Sequence, residues 1–198
     1  MTCHFMPRKI NFSSEVIMDM ELYINWKDHR LSFSNCTGFL GPSVMREIWL
    51  PRPYLHHLTS VYDRDQITAN SDYLEASASN GLVWWIEITA GIQCSFDFTF
   101  YPFDHQECIV KLSSNSFPHD VVSYSSNKLI RSNYGIQHDL HYSVEYSMLA
   151  EDEDLTFFGG NYHYTSCGFV ISLDRKLSQP VVNLFLPSAF IVIISFFG

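Results

Sequence analysis

The sequence predicts an all-β protein built as an antiparallel sandwich, and three observations support this fold class. Segments that alternate polar and apolar residues, rich in β-branched and aromatic side chains, recur along the chain. Turn-forming pairs such as Gly41-Pro42 and Asn80-Gly81 stand between these segments. Few stretches show helical periodicity, and 46% of the 198 residues are hydrophobic, which is sufficient for a substantial core.

Four segments carry the clearest strand pattern. In chain order they are residues 16–26, 82–92, 108–112 and 167–175. The stretch 56–73 is predicted to be a long connection, because it is polar and irregular. The acidic run 151–154 is interpreted as a solvated loop, since it lacks the ligand spacing of a calcium-binding loop.

The C-terminal segment differs from the rest of the chain. No residue from Leu184 to Gly198 is charged, and the basic pair Arg175-Lys176 precedes this run. A transmembrane helix needs about 20 apolar residues. We therefore interpret 180–198 as the beginning of a transmembrane helix truncated by the end of the chain, following a sandwich domain over 1–179. A buried strand is the alternative for a short apolar run.

Composition and motif content disfavour several functional classes. The net charge of −9 argues against a nucleic-acid partner, because nucleic acid selects basic surfaces. Ser-His-Asp, GxSxG and metal-triad patterns do not occur at recognisable spacing, so no enzymatic activity is expected. No cofactor is expected, and the paired histidines do not predict a metal site, which needs three or four convergent ligands.

The cysteines favour a single disulfide, and the glycosylation sequons are typical of a secreted context. The cysteines form no CxxC pair, so one disulfide with spare thiols is favoured over a structural zinc site. Two N-x-S/T sequons make Asn11 and Asn35 candidate glycosylation sites. The five cysteines are Cys3, Cys36, Cys94, Cys108 and Cys167.

The segment CSFDFTFYPFDHQEC, residues 94–108, resembles the signature of the Cys-loop receptors, the pentameric ligand-gated ion channels. Its cysteine spacing and its residue identities match together, and the resemblance covers nearly the whole chain. Other motifs follow in the family's order, and they are WKDHRL at 26–31, IWLP at 48–51, NGLV at 80–83 and LDRK at 173–176. The style of these motifs is closest to the branch that contains GABA and glycine receptors.

The resemblance implies a ten-stranded immunoglobulin-like sandwich that joins homologous subunits in a homo- or hetero-pentamer. The location implied is the plasma membrane, with residues 1–179 extracellular and synapses as a candidate site. The resemblance also implies a disulfide between Cys94 and Cys108, whose loop faces the lipid membrane and couples agonist binding to the pore. The coupling residues implied are Tyr101, Pro102, Phe103, Asp104 and Arg175.

A small-molecule agonist would bind between subunits, and the binding positions are carried over one by one. The principal face would contribute Tyr54, Asn115, Phe117, Tyr162 and Tyr164. The complementary face would contribute Glu21, Tyr23, Trp85 and Glu87. In receptors for GABA and glycine, arginines often occupy the positions that match Tyr23 and Glu87. Because this chain offers π faces and carboxylates there instead, we hypothesise a cationic amine agonist.

The chain departs from the family pattern at several positions. Asn115 stands where an aromatic residue is common, and Arg52 replaces the usual aspartate of the first binding loop. The strand that ends at Trp26 is a few residues short, and the N-terminal helix of the family is missing. Two alternatives therefore stay open, a non-binding accessory subunit and a soluble pentameric ligand-binding protein. An enzyme on a sandwich scaffold ranks lowest.

Overall fold

The structure is a computed structural model that shows two β-sheets and a C-terminal helical segment. The all-β antiparallel sandwich followed by a helix is therefore confirmed. The residues described are 1–12, 15–31, 37–51, 53–62, 72–77, 81–114, 117–129, 142–149 and 163–197.

The larger sheet is built around two long central strands. Its seven strands are β1 (Thr2–Phe12), β2 (Val16–Lys27), β3 (Gly38–Leu40), β5 (Leu58–Tyr62), β6 (Asp72–Ala76), β7 (Gly81–Ile92) and β9 (Ser125–Leu129). Their order is β3-β6-β7-β2-β1-β9, and β5 also pairs with β7. Strands β2 and β7 pair over their full length, and all pairs of this sheet are antiparallel except β1 with β9.

The smaller sheet leads directly into the C-terminal helical segment. Its four strands are β4 (Pro53–Leu55), β8 (His105–Ser114), β10 (Tyr142–Met148) and β11 (Ser166–Arg175). Their order is β10-β11-β8-β4, and all pairs are antiparallel. The helical elements are α1 (Pro42–Met45), α2 (Ser178–Pro180), a π-helical stretch (Val181–Phe185) and α3 (Leu186–Phe197).

The core forms between the facing sides of the two sheets. In β2 the even-numbered side chains, including Met18, Leu22 and Ile24, are buried, because alternate residues of a strand point to opposite faces. Phe5 of β1 meets Phe169 of β11 with ring centroids 5.3 Å apart, and this contact joins the two sheets. Burial of a side chain of this kind contributes about 1.5–3 kcal/mol.

The strands predicted from the clearest patterns are present as β2, β7, β8 and β11, but the prediction for 56–73 is wrong at both ends. Strands β5 and β6 occupy parts of that stretch. Strand β6 is short, so its alternation was easily overlooked, although Leu74 is fully buried. The described residues contain eleven strands instead of the implied ten, and two of them, β3 and β4, have only three residues.

Strand β1 was not predicted because Pro7 and the basic residues after it interrupt its pattern. Its register with β2 shifts between Pro7 and Lys9, where a bulge accommodates the interruption. The pairing of β1 with β9 ends at Phe5. Pro7, which has no backbone N–H to donate, lies beyond that pairing and has β2 as its partner strand.

Residues 178–197 are helical, so the buried-strand alternative for the C-terminal segment is wrong. Within the described ranges, no helix combines the length and the apolar character that a membrane crossing requires, and α3 has 12 residues. Its apolar side chains, such as Phe190 and Ile191, are exposed.

Candidate functional site

The outer face of the larger sheet carries a row of aromatic side chains, which we call the aromatic row. Tyr23 of β2 and Trp85 of β7 are cross-strand partners, and their rings stack at a centroid distance of 5.3 Å. Tyr73 of β6 contacts Trp85 at 5.8 Å, and Phe39 of β3 contacts Tyr73 at 6.2 Å. The row lies on the face of the sheet opposite the core, and the rings of Phe39 and Tyr73 are exposed, so aromatic π surface there is accessible to a cation.

Two carboxylates beside the aromatic row share one guanidinium. Glu21 and Glu87 are direct cross-strand partners, and Arg8 of β1 forms an ion pair with each of them. The distance from Arg8 Nη1 to Glu87 Oε1 is 2.7 Å. The Glu21 side chain is buried, whereas that of Glu87 is 33% exposed. One cation against two anions leaves this acid–arginine cluster with a net charge of −1, and Glu87 is its accessible carboxylate.

Tyr23 connects the cluster to the aromatic row. Its hydroxyl donates a hydrogen bond to Glu21 Oε2. Partial burial raises the pKa of Tyr23, and the charge of Glu87 raises it further, while Arg8 acts in the opposite direction. The phenol is therefore a neutral donor at physiological pH, and the four residues predicted for the complementary face lie next to one another on one side of the sheet, with Glu21 buried beneath its neighbours.

Sequence reasoning missed Arg8, which changes the electrostatics of this surface. The prediction treated Glu21 and Glu87 as free counter-charges, but Arg8 compensates one of the two. Arg8 reaches them because it lies in the β1 bulge, between the register positions of Pro7 and Lys9. Only the register of β1 against β2 would have revealed it. Tyr73 was missed for a related reason, since it lies on a strand that was predicted to be a connection.

Tyr54 and Phe117 of the predicted principal face differ in how far they are exposed. Tyr54 of β4 is exposed, and its ring lies edge-on to His56 at 5.1 Å. Phe117 is half-buried and packs against Trp49 at 5.9 Å. Tyr54 is thus the more available of the two for a ligand.

Tyr164 lies next to the segment that carries Phe117. It is partly exposed, and the backbone N–H of His119 donates to the carbonyl of the adjacent His163 at 2.7 Å. Two other predicted residues, Asn115 and Tyr162, lie outside the described residues, as does Arg52.

The two predicted faces stand on different sheets. Tyr54 belongs to the four-stranded sheet, and Trp85 lies on the outer face of the seven-stranded sheet. Because the sheets pack face to face, one chain does not bring these side chains together. A site that uses both faces requires a second copy or a related chain.

The structure contains the disulfide between Cys94 and Cys108, which closes the loop from β7 to β8. Asp104 lies in this loop, and Arg175 of β11 donates two hydrogen bonds to its carboxylate, at 2.6 and 2.9 Å. We call this pair the Asp104–Arg175 clamp. The guanidinium also lies over the ring of Tyr101, at 4.9 Å. The hydrogen bonds from Arg175 hold the pKa of Asp104 at about 2, so this carboxylate is ionised at physiological pH.

Gln106 explains why the loop has a defined shape. Its side-chain amide donates to Asp104 Oδ2 at 2.8 Å and to the carbonyl of Asp97, while its oxygen accepts from the Asp97 N–H at 2.8 Å. The peptide bond between Tyr101 and Pro102 is cis. Within the loop Pro102 is buried, so the predicted coupling positions divide into an anchored core and an exposed tip.

The tip of the loop exposes aromatic rings. Phe100 and Phe103 are 74% and 73% exposed, and Phe98 and Tyr101 are about half exposed. Exposed apolar rings of this size, grouped on one loop, are typical of a surface that contacts an apolar partner.

Two other motifs of the resemblance have structural roles. Asp28 accepts hydrogen bonds from the backbone and the guanidinium of Arg30, at 2.7–3.0 Å, which closes the turn after β2. Trp49 packs edge-on against Trp26 at 6.4 Å and also contacts Phe117. Trp49 thus connects the end of β2 to the segment after β8.

Glycosylation at Asn11 and Asn35 stays a prediction, because Asn35 and the side chain of Asn11 lie outside the described part. In the described ranges, no three His, Cys, Asp or Glu side chains converge as a metal site would need. His56 Nε2 lies 2.7 Å from Ser113 Oγ, and burial lowers the pKa of His56.

Comparison with known proteins supports the resemblance to the ligand-gated ion channels. A protein-family profile described as the neurotransmitter-gated ion-channel ligand binding domain matches residues 10–176. The chain is also similar to the gamma-aminobutyric acid receptor subunit beta of Lymnaea stagnalis, with 27% identity over 201 aligned positions. That alignment covers 92% of this chain and 39% of the snail protein, so the chain spans about two fifths of the relative's length.

Proposed function

Because the chain belongs to the family of neurotransmitter-gated ion-channel ligand-binding domains, we propose that it forms the agonist-binding domain of a ligand-gated ion channel subunit. Residues 1–179 are extracellular in this proposal, and residues 180–198 begin the first transmembrane helix. Five homologous subunits surround the pore in the plasma membrane. The similarity to a molluscan GABA receptor subunit supports placement in the GABA and glycine receptor branch.

The agonist binds between subunits, with the aromatic row as one wall. The observation that carries this proposal is the position of Trp85, which lies between two tyrosine rings and two residues from Glu87 on the same strand face. Trp85 supplies the π face, and the acid–arginine cluster supplies the residual charge of −1. Both features favour a cationic amine. Tyr54, Phe117 and Tyr164 of the adjacent subunit form the opposite wall, together with Asn115 and Tyr162.

Agonist binding is coupled to the pore through the disulfide loop. The exposed rings of Phe100 and Phe103 contact the apolar top of the membrane domain. The Asp104–Arg175 clamp keeps the loop in register with the end of β11. The support for this role is the combination of a rigid, hydrogen-bonded interior and an exposed apolar tip.

The agonist class is tested by expressing the full-length receptor in oocytes and recording currents under voltage clamp. The panel comprises choline esters, biogenic amines, GABA and glycine. We expect an amine to open the channel at micromolar concentration. Replacement of Glu87 by Gln should raise the half-maximal concentration about tenfold, which corresponds to about 1.4 kcal/mol.

The control is Ile88→Val, because Ile88 packs against the core and does not reach the aromatic row. It should leave the half-maximal concentration unchanged. Gating by GABA or glycine at micromolar levels without a response to amines would refute the amine proposal. A receptor that opens to no member of the panel would favour a non-binding accessory subunit instead.

A further inference from the structure

Two cysteines that the Cys94–Cys108 disulfide does not use meet inside the sandwich. Cys3 lies on β1 of the larger sheet, and Cys167 lies on β11 of the smaller sheet. Both are free thiols in the structure, and both are buried, with 0% and 1% exposure. The neighbouring Cys3 thiol contributes to raising the pKa of the Cys167 thiol. The pair therefore bridges the interface between the two sheets.

The strand positions place both thiols on the inward faces of β1 and β11, in the interface between the sheets. Phe5 and Phe169 each lie two residues beyond a cysteine, on the same face of their strands, and their rings are 5.3 Å apart. A step of two residues back along each strand leads to Cys3 and Cys167. The two strands approach each other to Cα–Cα distances within 8 Å, and disulfides generally join Cα atoms about 4.4–6.8 Å apart.

A third segment fixes the two cysteines relative to each other. The backbone N–H of Tyr124 donates to Thr165 Oγ1 at 2.7 Å, and that of Ser125 donates to the carbonyl of Met1 at 2.9 Å. Residues 124–125 thus bind the start of β1 on one side and the start of β11 on the other. The Tyr124 side chain is itself buried, and the nearby thiols add to the effect of burial in raising its pKa.

We propose that Cys3 and Cys167 form a second disulfide, between the sheets, when the protein matures in an oxidising compartment. Two thiols lose two protons and two electrons, and one S–S bond forms in this chain. A disulfide-bearing oxidoreductase of the secretory pathway accepts the two electrons and the two protons, and its own disulfide is reduced to a dithiol. This inference rests on the extracellular location in the proposed function, because thiols stay reduced in the cytosol.

The timing of the reaction follows from the burial of the pair. Burial raises the pKa of the Cys167 thiol well above its usual range, and the neighbouring Cys3 thiol adds to the rise. A thiolate is the reactive species in disulfide exchange. The bond therefore forms before the two sheets close over the cysteines, and reductants reach it only after unfolding.

The test is mass spectrometry of the full-length receptor, purified from cells in the presence of N-ethylmaleimide and digested with trypsin without reduction. The cleavage sites separate the relevant cysteines, since Cys3 falls on a peptide that ends at Arg8, Cys167 on 132–175 and Cys36 on 31–46. We expect the first two peptides to be linked. Alkylation of both Cys3 and Cys167, or linkage of either to Cys36, would overturn the proposal.

The peptide 65–111 contains both Cys94 and Cys108 and serves as the internal control. Its intact disulfide shows that the sample passed through an oxidising compartment. If this bond is also absent, the failure concerns the extracellular location and hence the proposed function. If it is intact while Cys3 and Cys167 are alkylated, only the second disulfide is refuted.

A stability measurement provides a second readout. With the bond present, Cys3→Val and Cys167→Val should each lower Tm by about 10 °C, and the double variant should lower it no further. With two independent thiols, the single effects should be small and should add in the double variant, which would contradict the proposal.

Discussion

Asp104 shows how a single carboxylate is kept ionised inside a loop. Its side chain is 1% exposed, and Arg175 meets both of its oxygens. A buried charge that loses its partner destabilises a protein by about 3–5 kcal/mol. The identity of this residue therefore matters for folding as well as for any role in gating.

We predict that Asp104→Asn lowers the stability of the protein by about 3 kcal/mol at neutral pH, because the Arg175 charge stays buried without its counter-ion. The pKa of Asp104 is lowered from 3.8 to about 2. The stabilisation is thus present above pH 4 and is lost as the pH falls towards 2. Thermal unfolding of the unmodified protein and of Asp104→Asn, measured from pH 7 to pH 2, should show their Tm values converging between pH 4 and pH 2.

Asp174→Asn is the matched control for this measurement. Asp174 contacts His105 Nδ1 at 2.7 Å, but its side chain is 61% exposed. An exposed ion pair contributes about 0–1 kcal/mol. Equal losses of stability for the two variants would show that the Asp104–Arg175 clamp contributes no more than an exposed ion pair.

At the scale of elements, β1 combines a proline, a bulge and the arginine that pairs with Glu21 and Glu87. Its bulge places Arg8 beside Glu21 and Glu87, and its inward side chains include Cys3 and Phe5. One strand thus contributes to the candidate site on one face and to the core on the other.

We predict that Arg8→Ala destabilises the protein by about 3 kcal/mol, because Glu21 is left as a buried carboxylate without its cation. A second change, Glu21→Gln, should restore most of the loss by removing the buried charge. The free energy of unfolding of the two variants, measured with urea, checks this. Failure of the double variant to recover stability would indicate that Arg8 acts through packing instead of charge.

The β7–β8 loop allows stability and coupling to be separated. Phe100 and Phe103 are mostly exposed, so Phe100→Ser with Phe103→Ser should change Tm by less than about 2 °C. The same variant should reduce the maximal agonist current of the receptor strongly. A current unchanged at normal surface expression would refute the coupling role proposed for the loop.

At the scale of the whole molecule, the two predicted binding faces lie on different sheets, and the site we propose therefore lies between subunits. We predict that receptors composed of Tyr54→Ala subunits alone, or of Trp85→Ala subunits alone, respond weakly to agonist. Coexpression of the two variants should restore a high-affinity component, because some interfaces then contain both intact faces. Dose–response curves of the mixture test this, and a mixture no better than either variant alone would argue against an intersubunit site.

The sequence was sufficient for the fold class, the four clearest strands and the disulfide, because alternation and a specific motif mark each of them. It was insufficient where the determining contact is distant in the chain. Arg8 is assigned to the site only by the register of β1, and Tyr73 only by the pairing of β6 with β7. The meeting of Cys3 with Cys167 likewise depends on how the two sheets pack.

The Asp104–Arg175 clamp also limits how far the disulfide loop can move independently. Arg175 is three residues from Ser178, the first residue of α2, and an extended chain spans at most about 10 Å over that length. The loop is thus connected to the first residue of the C-terminal helical segment through the Asp104–Arg175 clamp and a linker of three residues. Any displacement of the loop beyond the reach of that short linker must either pull the helix along or break the ion pair.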